Sequence, residues 1–358
     1  MAKLSDLIRP DVRARHAYQV ADATGLLKLD AMENPFPLPA GLRAELGANL
    51  ADALYNRYPD ADPKGLKALL KSFMGVPDGS DLLLGNGSDE IIQIVAQALA
   101  QPGASLLSVE PAFVMFRLLA ESCGLQYHGV PLQADFSLDL PAMLAAIERT
   151  QPAVIFLAMP NNPTGNLFAA EAVRTILQAT PGLVVVDEAY YPFTDSSYLG
   201  WLPEYPNLLV MRTLSKLGLA GIRLGFLAGA PALLTELDKL RLPYNLSVAT
   251  QVIASTVLSA PEALRQQVAL LRAERTRLAE ALVRLPAIQV FPSEANFLLV
   301  RVPDAPRAFD LLKQHGILIK NLNHAHTLLR GCLRITVGAP DENDRLIAAL
   351  TLALADAG

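Results

Sequence analysis

In "NLLVMRTLSKLGLAGIRLGFLAG", Asn207 to Gly229, the segment Thr213 to Gly225 sets one lysine and one arginine, seven residues apart, among small residues between two apolar runs. Short apolar runs bounded by polar or glycine-rich turns read as buried strands. Lys216 and Arg223 then stand where one strand gives way to the next. The same alternation extends upstream in "DLLLG", "ASLLSV", "AVIFLAMP" and "GLVVVDEAY", with helical patterns between them from about residue 80. This predicts a largely parallel sheet covered by helices on both faces. "GSDEIIQIVAQALAQPG" reads as one such helix, with its start at Ser88, acidic Asp89 and Glu90 in the first turn, and a stop at Pro102 and Gly103.

After about residue 250 the pattern changes to a long helical region rich in Leu, Arg and Glu, then "NFLLVRV", "GILIKN" and "CLRITVG", a smaller α+β domain. The first 35 residues end in proline-rich "DAMENPFPLP" and read as an arm packed elsewhere. The expected division is an arm over 1–35, a large domain over 36–250 and a small domain over 251–358.

The chain has 358 residues, 52% hydrophobic and 18% charged, with a net charge of −5. It is globular by composition and long enough for a sizeable core. No run of lysines and arginines could track a phosphate backbone, so nucleic acid is not an expected partner. Charges at Arg9, Asp11, Arg13 and Arg15 interrupt the region where a signal peptide needs an apolar core, and no apolar run approaches membrane-spanning length. A cytoplasmic location with no membrane contact is expected. Cys123 and Cys332 read as reduced core thiols. His324 and His326 in "HAH" lack the accompanying ligands of a metal motif, and no metal is expected.

Ligands of open parallel sheets bind outside the carboxyl ends of the strands. The residues just after each apolar run are therefore informative: Gly87-Ser88-Asp89, Phe113, Asn162, Asp187, Tyr190, Ser215, Lys216 and Arg223. Singly each has a plain reading as a cap, turn or surface residue. Together they carry one chemistry. Pyridoxal phosphate needs a lysine amine for a Schiff base and a carboxylate facing its pyridine nitrogen. Lys216 and Asp187 are the pair placed to supply both. A pyridinium N–H would meet the buried carboxylate, and Lys216 would act as general base. Tyr190 and Asn162 could donate to the phenolic oxygen, Ser88, Asp89, Ser215 and Arg223 surround the phosphate, and Phe113 offers a flat apolar face. The acidic side chains of that first turn, Asp89 and Glu90, are expected to point away from that anion.

The pieces "ENP" (33–35), "YPD" (58–60), "GNGSDEII", "EPAFVMF", "PNNPTG", "VVVDEAYYPF", "RTLSKLGLAGIRLG", "NFLLVRV" and "CLRITVG" run in one order over nearly the whole chain. The sequence in this respect resembles the fold-type I aminotransferases, and within them the histidinol-phosphate aminotransferase family. The resemblance implies an α/β large domain with a mostly parallel seven-stranded sheet between helices, and a homodimer. It implies ping-pong amino transfer between L-histidinol phosphate and 2-oxoglutarate through a pyridoxal phosphate Schiff base, in histidine biosynthesis. By the motif match Lys216 is the Schiff-base lysine, Asp187 the pyridine partner, and Tyr190 and Asn162 the phenolate contacts. Ser215 and Arg223, helped by Ser88 and Asp89, hold the cofactor phosphate. Tyr58 reaches across the dimer to the other subunit's cofactor, and Arg334 binds the anionic end of either substrate. Apart from the motif match, the arm near Tyr18 is expected to close over the substrate.

Two positions depart from the pattern. "MENP" puts Met32 where many relatives carry asparagine, and Lys320 stands where some carry arginine, so Lys320 would meet a phosphate as a point charge and not as a bidentate fork. An aromatic amino-acid aminotransferase or a threonine-phosphate decarboxylase would share the same cofactor pocket. A ligand-sensing transcription regulator would need a DNA-binding module, for which about 35 residues before the domain are too few. "GLAGIRLG" does not follow the dinucleotide-binding glycine spacing.

Overall fold

The computed structural model describes residues 7–17 and 19–355. Strand β1 (Leu27–Lys28) precedes the main sheet. That sheet is built from β2 (Asp81–Asn86), β3 (Ser105–Glu110), β4 (Gln126–Pro131), β5 (Val154–Ala158), β6 (Leu183–Asp187), β7 (Leu208–Thr213) and β8 (Leu224–Gly229). Among the described residues it has seven strands in the order β2-β8-β7-β6-β5-β3-β4. Only β8 runs against its neighbours. Six strands therefore deliver their carboxyl ends to one edge, as the sequence pattern predicted.

Alternation along each strand feeds two cores. Val184 and Val186 pack with one apolar cluster, while Val185 packs with the other, across the sheet. The helix Ser88–Leu99 buries Ile91, Ile92, Ile94 and Val95 against the second face. Its N-cap is Gly87, not the Ser88 that the sequence suggested, because Gly87 takes the positive φ of 81° that the tight turn after β2 demands. β4 escaped the sequence reading: "QYHGVP" is an edge strand with one fully buried residue, so it carries no apolar run.

A third core gathers the C-terminal elements. There β9 (Gln289–Val290), β10 (Phe297–Arg301), β12 (Lys320–Asn321) and β13 (Cys332–Thr336) form a four-stranded antiparallel sheet. β11 (Ile317–Leu318) leaves that sheet to pair in parallel with β1. "GILIKN" is thus two short strands in two sheets, where its sequence read as one.

Behind the carboxyl edge lies a buried ion pair. Glu188 follows β6 and Arg212 sits in β7, with side chains 1% and 5% exposed. The guanidinium donates to Glu188 Oε2 through Nε at 2.8 Å and Nη2 at 2.7 Å, to Ser197 Oγ at 2.8 Å and to the Met74 carbonyl at 3.1 Å. The ring of Tyr191 stacks 4.2 Å from it. Removing one partner strands the other charge in the core, whereas an apolar pair of similar volume does not. Glu188→Met alone is expected to lose about 3–5 kcal/mol in urea unfolding of the cofactor-free protein, and adding Arg212→Met to restore most of it. Equal losses for the single and double variants would contradict this.

Candidate active site

Asp187 ends β6 and Thr213 ends β7, and the chain then turns through Ser215–Leu219, a single wide helical turn broken at Gly218. Asp187, Lys216, Tyr190, Asn162, Phe113, Ser88, Asp89, Ser215 and Arg223 all line one cavity of about 120 Å³, with Met32 closing it. The structure thereby brings together nine of the residues that the strand-end reading singled out. A broader cleft of about 730 Å³ lies elsewhere, beside Tyr58 and Tyr244, and holds none of these groups.

Asp187 is 4% exposed and accepts one backbone hydrogen bond, from Ala189 N–H at 3.0 Å. Burial pushes its carboxyl up to about 7. Lys216 Nζ donates to the Ala31 carbonyl at 3.0 Å and lies 6.0 Å from the centre of the Tyr190 ring. Burial, and then the nearby Arg334, bring its pKa down to about 8. Burial likewise raises the Tyr190 hydroxyl above its ordinary value. Arg334 comes from β13 and is 9% exposed. On its strand Arg334 alternates with Leu333 and Ile335, which by itself would suit a surface position. Instead Arg334 turns inward, donating to Asn162 Oδ1 at 2.5 Å and to the Asp30 carbonyl at 3.0 Å.

At the start of the Ser88–Leu99 helix the backbone is packed closely. A Cβ on Gly225 would stand 2.9 Å from Ser88 N, and one on Gly87 would stand 2.6 Å from Arg223 Nη2. Glycine at both places lets the helix N-terminus and the guanidinium meet at the cavity. Asp89 differs from expectation: its carboxylate lines the cavity and pairs with Arg223 at 3.3 Å. The ion pair holds it there, because Arg223 lies directly over the first turn.

These groups fit pyridoxal phosphate. The buried carboxylate lacks the cation that would make its burial favourable, a neutralisable amine shares its cavity, and helix N–H groups with an arginine form an anion seat. Three predicted residues, Tyr58, Lys320 and Tyr18, lie elsewhere or outside the description. Tyr58 is 80% exposed and stacks on Tyr244 at 4.5 Å. Lys320 lies on β12 opposite Arg334, away from the cavity lining. His324 and His326 touch Asn323 and Leu328 N–H, and among the described residues no cluster of three metal-ligating side chains occurs. Tyr18 lies outside the described residues. The sequence missed Met32 as a wall of the cavity, and only its departure from "NENP" marked it.

Residues 24–350 match the family model for aminotransferase class I and II. A histidinol-phosphate aminotransferase of Chromobacterium violaceum is 56% identical over 97% of this chain and 98% of its own. The chain belongs to the histidinol-phosphate aminotransferase family. It is a pyridoxal-phosphate-dependent aminotransferase. The structure of histidinol-phosphate aminotransferase from Sinorhizobium meliloti, in complex with pyridoxal-5′-phosphate, superposes with a TM-score of 0.88 at 24% identity, covering 98% of each chain. An L-threonine-O-3-phosphate decarboxylase from Porphyromonas gingivalis also superposes, with a TM-score of 0.79 at 21% identity over 92% of this chain and all of its own. The fold alone therefore does not choose between transfer and decarboxylation.

The Asp187 shift has a definite sign. A carboxyl raised from its ordinary value to about 7 keeps a proton in the folded state that the unfolded chain releases from about pH 4. Its contribution to the stability of the cofactor-free protein is therefore lost as pH rises from about 4 to about 7, by roughly 4 kcal/mol at full extent. Asp187→Asn in cofactor-free protein is expected to match the parent at pH 4 and to melt higher at pH 8. A variant no more stable at pH 8 would contradict this.

Proposed function

We propose that the chain transfers the amino group of L-histidinol phosphate to 2-oxoglutarate in two half-reactions through one site, in the biosynthesis of histidine. The observation that carries this reading is the arrangement of Lys216 and Asp187 in one cavity with Arg334 beside them. One amine and one inward-facing cation suit two substrates that each present an amino or keto carbon and an anionic end. The 56% identity to a histidinol-phosphate aminotransferase supports the choice of donor.

When bound, the cofactor supplies an electron-accepting ring and the carbonyl carbon that takes the amino group. Lys216 would bond it covalently. Asp187 would hold the ring nitrogen's proton, which would satisfy the buried carboxylate at the same time. Asn162 has its oxygen committed to Arg334, so its Nδ2 is the atom left to donate to the phenolic oxygen beside the Tyr190 hydroxyl. Arg223 and the backbone N–H groups at Ser88 and Asp89 take the phosphate, with Ser215 adding its hydroxyl, and Asp89 acts by holding Arg223. A carboxylate is not itself a partner for phosphate. Phe113, set edge-on to Phe116 at 5.6 Å, would offer the ring an apolar face. Lys216 Nζ, with its lowered pKa, moves the proton from the substrate carbon. Arg334 seats the phosphate or carboxylate end, and Lys320 on the neighbouring strand adds positive charge.

The active form is proposed as a cytoplasmic homodimer. Support comes from Tyr58, whose exposed ring stacks on Tyr244 beside an open cleft, away from this chain's own cavity, and which we propose meets a second copy's cofactor phosphate. No helix among the described residues is long and apolar enough to cross a membrane. The proposed division remains an arm over 1–35, a cofactor-binding unit over 36–250 and a smaller unit over 251–358.

The test is the absorbance of loaded protein mixed with histidinol phosphate, L-phenylalanine or threonine phosphate. Conversion to the pyridoxamine spectrum is expected at far lower concentrations of histidinol phosphate than of L-phenylalanine. Carbon dioxide release from threonine phosphate, or preferential conversion by L-phenylalanine, would overturn the reading.

A further inference from the structure

Met32 is an apolar side chain on a backbone conformation that such residues avoid. Its φ is 54°, in the left-handed region where glycine, asparagine and aspartate sit readily and a long apolar side chain does not. The conformation is fixed from both sides. Met32 N–H donates to Thr336 Oγ1 at 3.0 Å, and its carbonyl accepts from Nδ2 of the wholly buried Asn296 at 3.0 Å. Strain held in place by buried hydrogen bonds points to a position where the direction of the side chain matters.

That direction is into the cavity, where Met32 is 7% exposed beside Lys216, Asp187 and Tyr190. The two residues before it touch the two ends of the substrate space. The Asp30 carbonyl accepts from Arg334 Nη2 at 3.0 Å, and the Ala31 carbonyl accepts from Lys216 Nζ at 3.0 Å. Residues 30–32 thus run from the cation that seats the anion to the amine at the reacting carbon. A donor held at both points lays its side chain along this stretch, and Met32 is the one long apolar side chain the stretch offers.

Resting on the reading of the site given above, we propose that Met32 is a specificity-determining residue, forming the wall against which the flat aromatic ring of the amino donor packs. A thioether suits a heteroaromatic ring, because sulfur is polarisable and makes favourable contacts with ring edges. The second substrate pair, glutamate and 2-oxoglutarate, has no ring and takes nothing from this wall. Selectivity between the two half-reactions then depends on one side chain.

The test compares loaded parent protein with Met32→Asn, Met32→Ala and Met32→Leu. Spectroscopic titration gives the half-saturating concentration for histidinol phosphate and for glutamate, and a melting curve gives stability. The ratio of the two concentrations is expected to rise at least about fivefold in the Asn and Ala variants and to stay within about twofold in the Leu variant. Met32→Asn, which relieves the backbone, is expected to melt no lower than the parent. An unchanged ratio in the Asn and Ala variants, or a parallel rise for both substrates, would overturn the proposal, as would an equal ratio change in the Leu variant. If the parent is converted by L-phenylalanine and not by histidinol phosphate, the donor assignment falls and the ratio is read on L-phenylalanine. Conversion of the parent by neither ring-bearing donor overturns the role of Met32 as well.

Discussion

A carboxylate buried at the end of a strand, with no ion-pair partner among the described residues, is the constraint on which the rest of the site depends. Asp187 is 4% exposed, and its single backbone hydrogen bond does not offset the loss of water. Such a group stays protonated up to about pH 7 unless a positive charge arrives from outside, and we propose that a protonated ring nitrogen is that charge. The fold delivers the other parts to the same place because six of seven strands point their carboxyl ends one way. Gly87 and Gly225 then let the helix start and Arg223 close on the cavity without a Cβ in the way.

The period of two along β6 and β7 separates two charged systems by the thickness of a sheet. Asp187 and Thr213 face the cavity, while Glu188 and Arg212 lie behind it, fully paired. The buried ion pair fixes both strand ends from the rear, so the groups in front are held without contributing to their own anchoring. A second brace crosses the front. Asn34 Nδ2 donates to the Leu217 carbonyl at 3.3 Å and to Gln267 Oε1 at 2.9 Å, joining the segment near Met32 to the turn that carries Lys216 and to the helix Glu262–Val283. Gly218, at φ 123°, makes room for that amide, since a Cβ there would stand 2.9 Å from it. The carrier turn of Lys216 is therefore held from both sides of the cavity.

Much of this was legible in the sequence because each polar group in the cavity terminates an apolar run or opens the next element. Lys216, Asp187, Asn162 and Ser88 could be found by that rule alone, and the parallel sheet followed from the same runs. What was not legible depends on partners distant in sequence. Met32 is shaped by Thr336 and Asn296, roughly three hundred residues on, and its positive φ leaves no local trace. Asp89 turns toward Arg223, which a helix pattern does not reveal. The edge strand β4 carries too little apolar surface to be seen, and "GILIKN" divides between two sheets because β1 claims its first half. Arg334 could be placed on a strand from its neighbours, but the sequence could not say which face would be buried.

The central claim is that Lys216, and no other amine, is the covalent partner of the cofactor. Borohydride reduction of the loaded protein, followed by proteolysis and mass spectrometry, reads that bond directly. The account predicts a pyridoxyl-phosphate mass on the peptide containing Lys216 and an unmodified Lys320. A stable label on another lysine, with Lys216 unmodified, would contradict it.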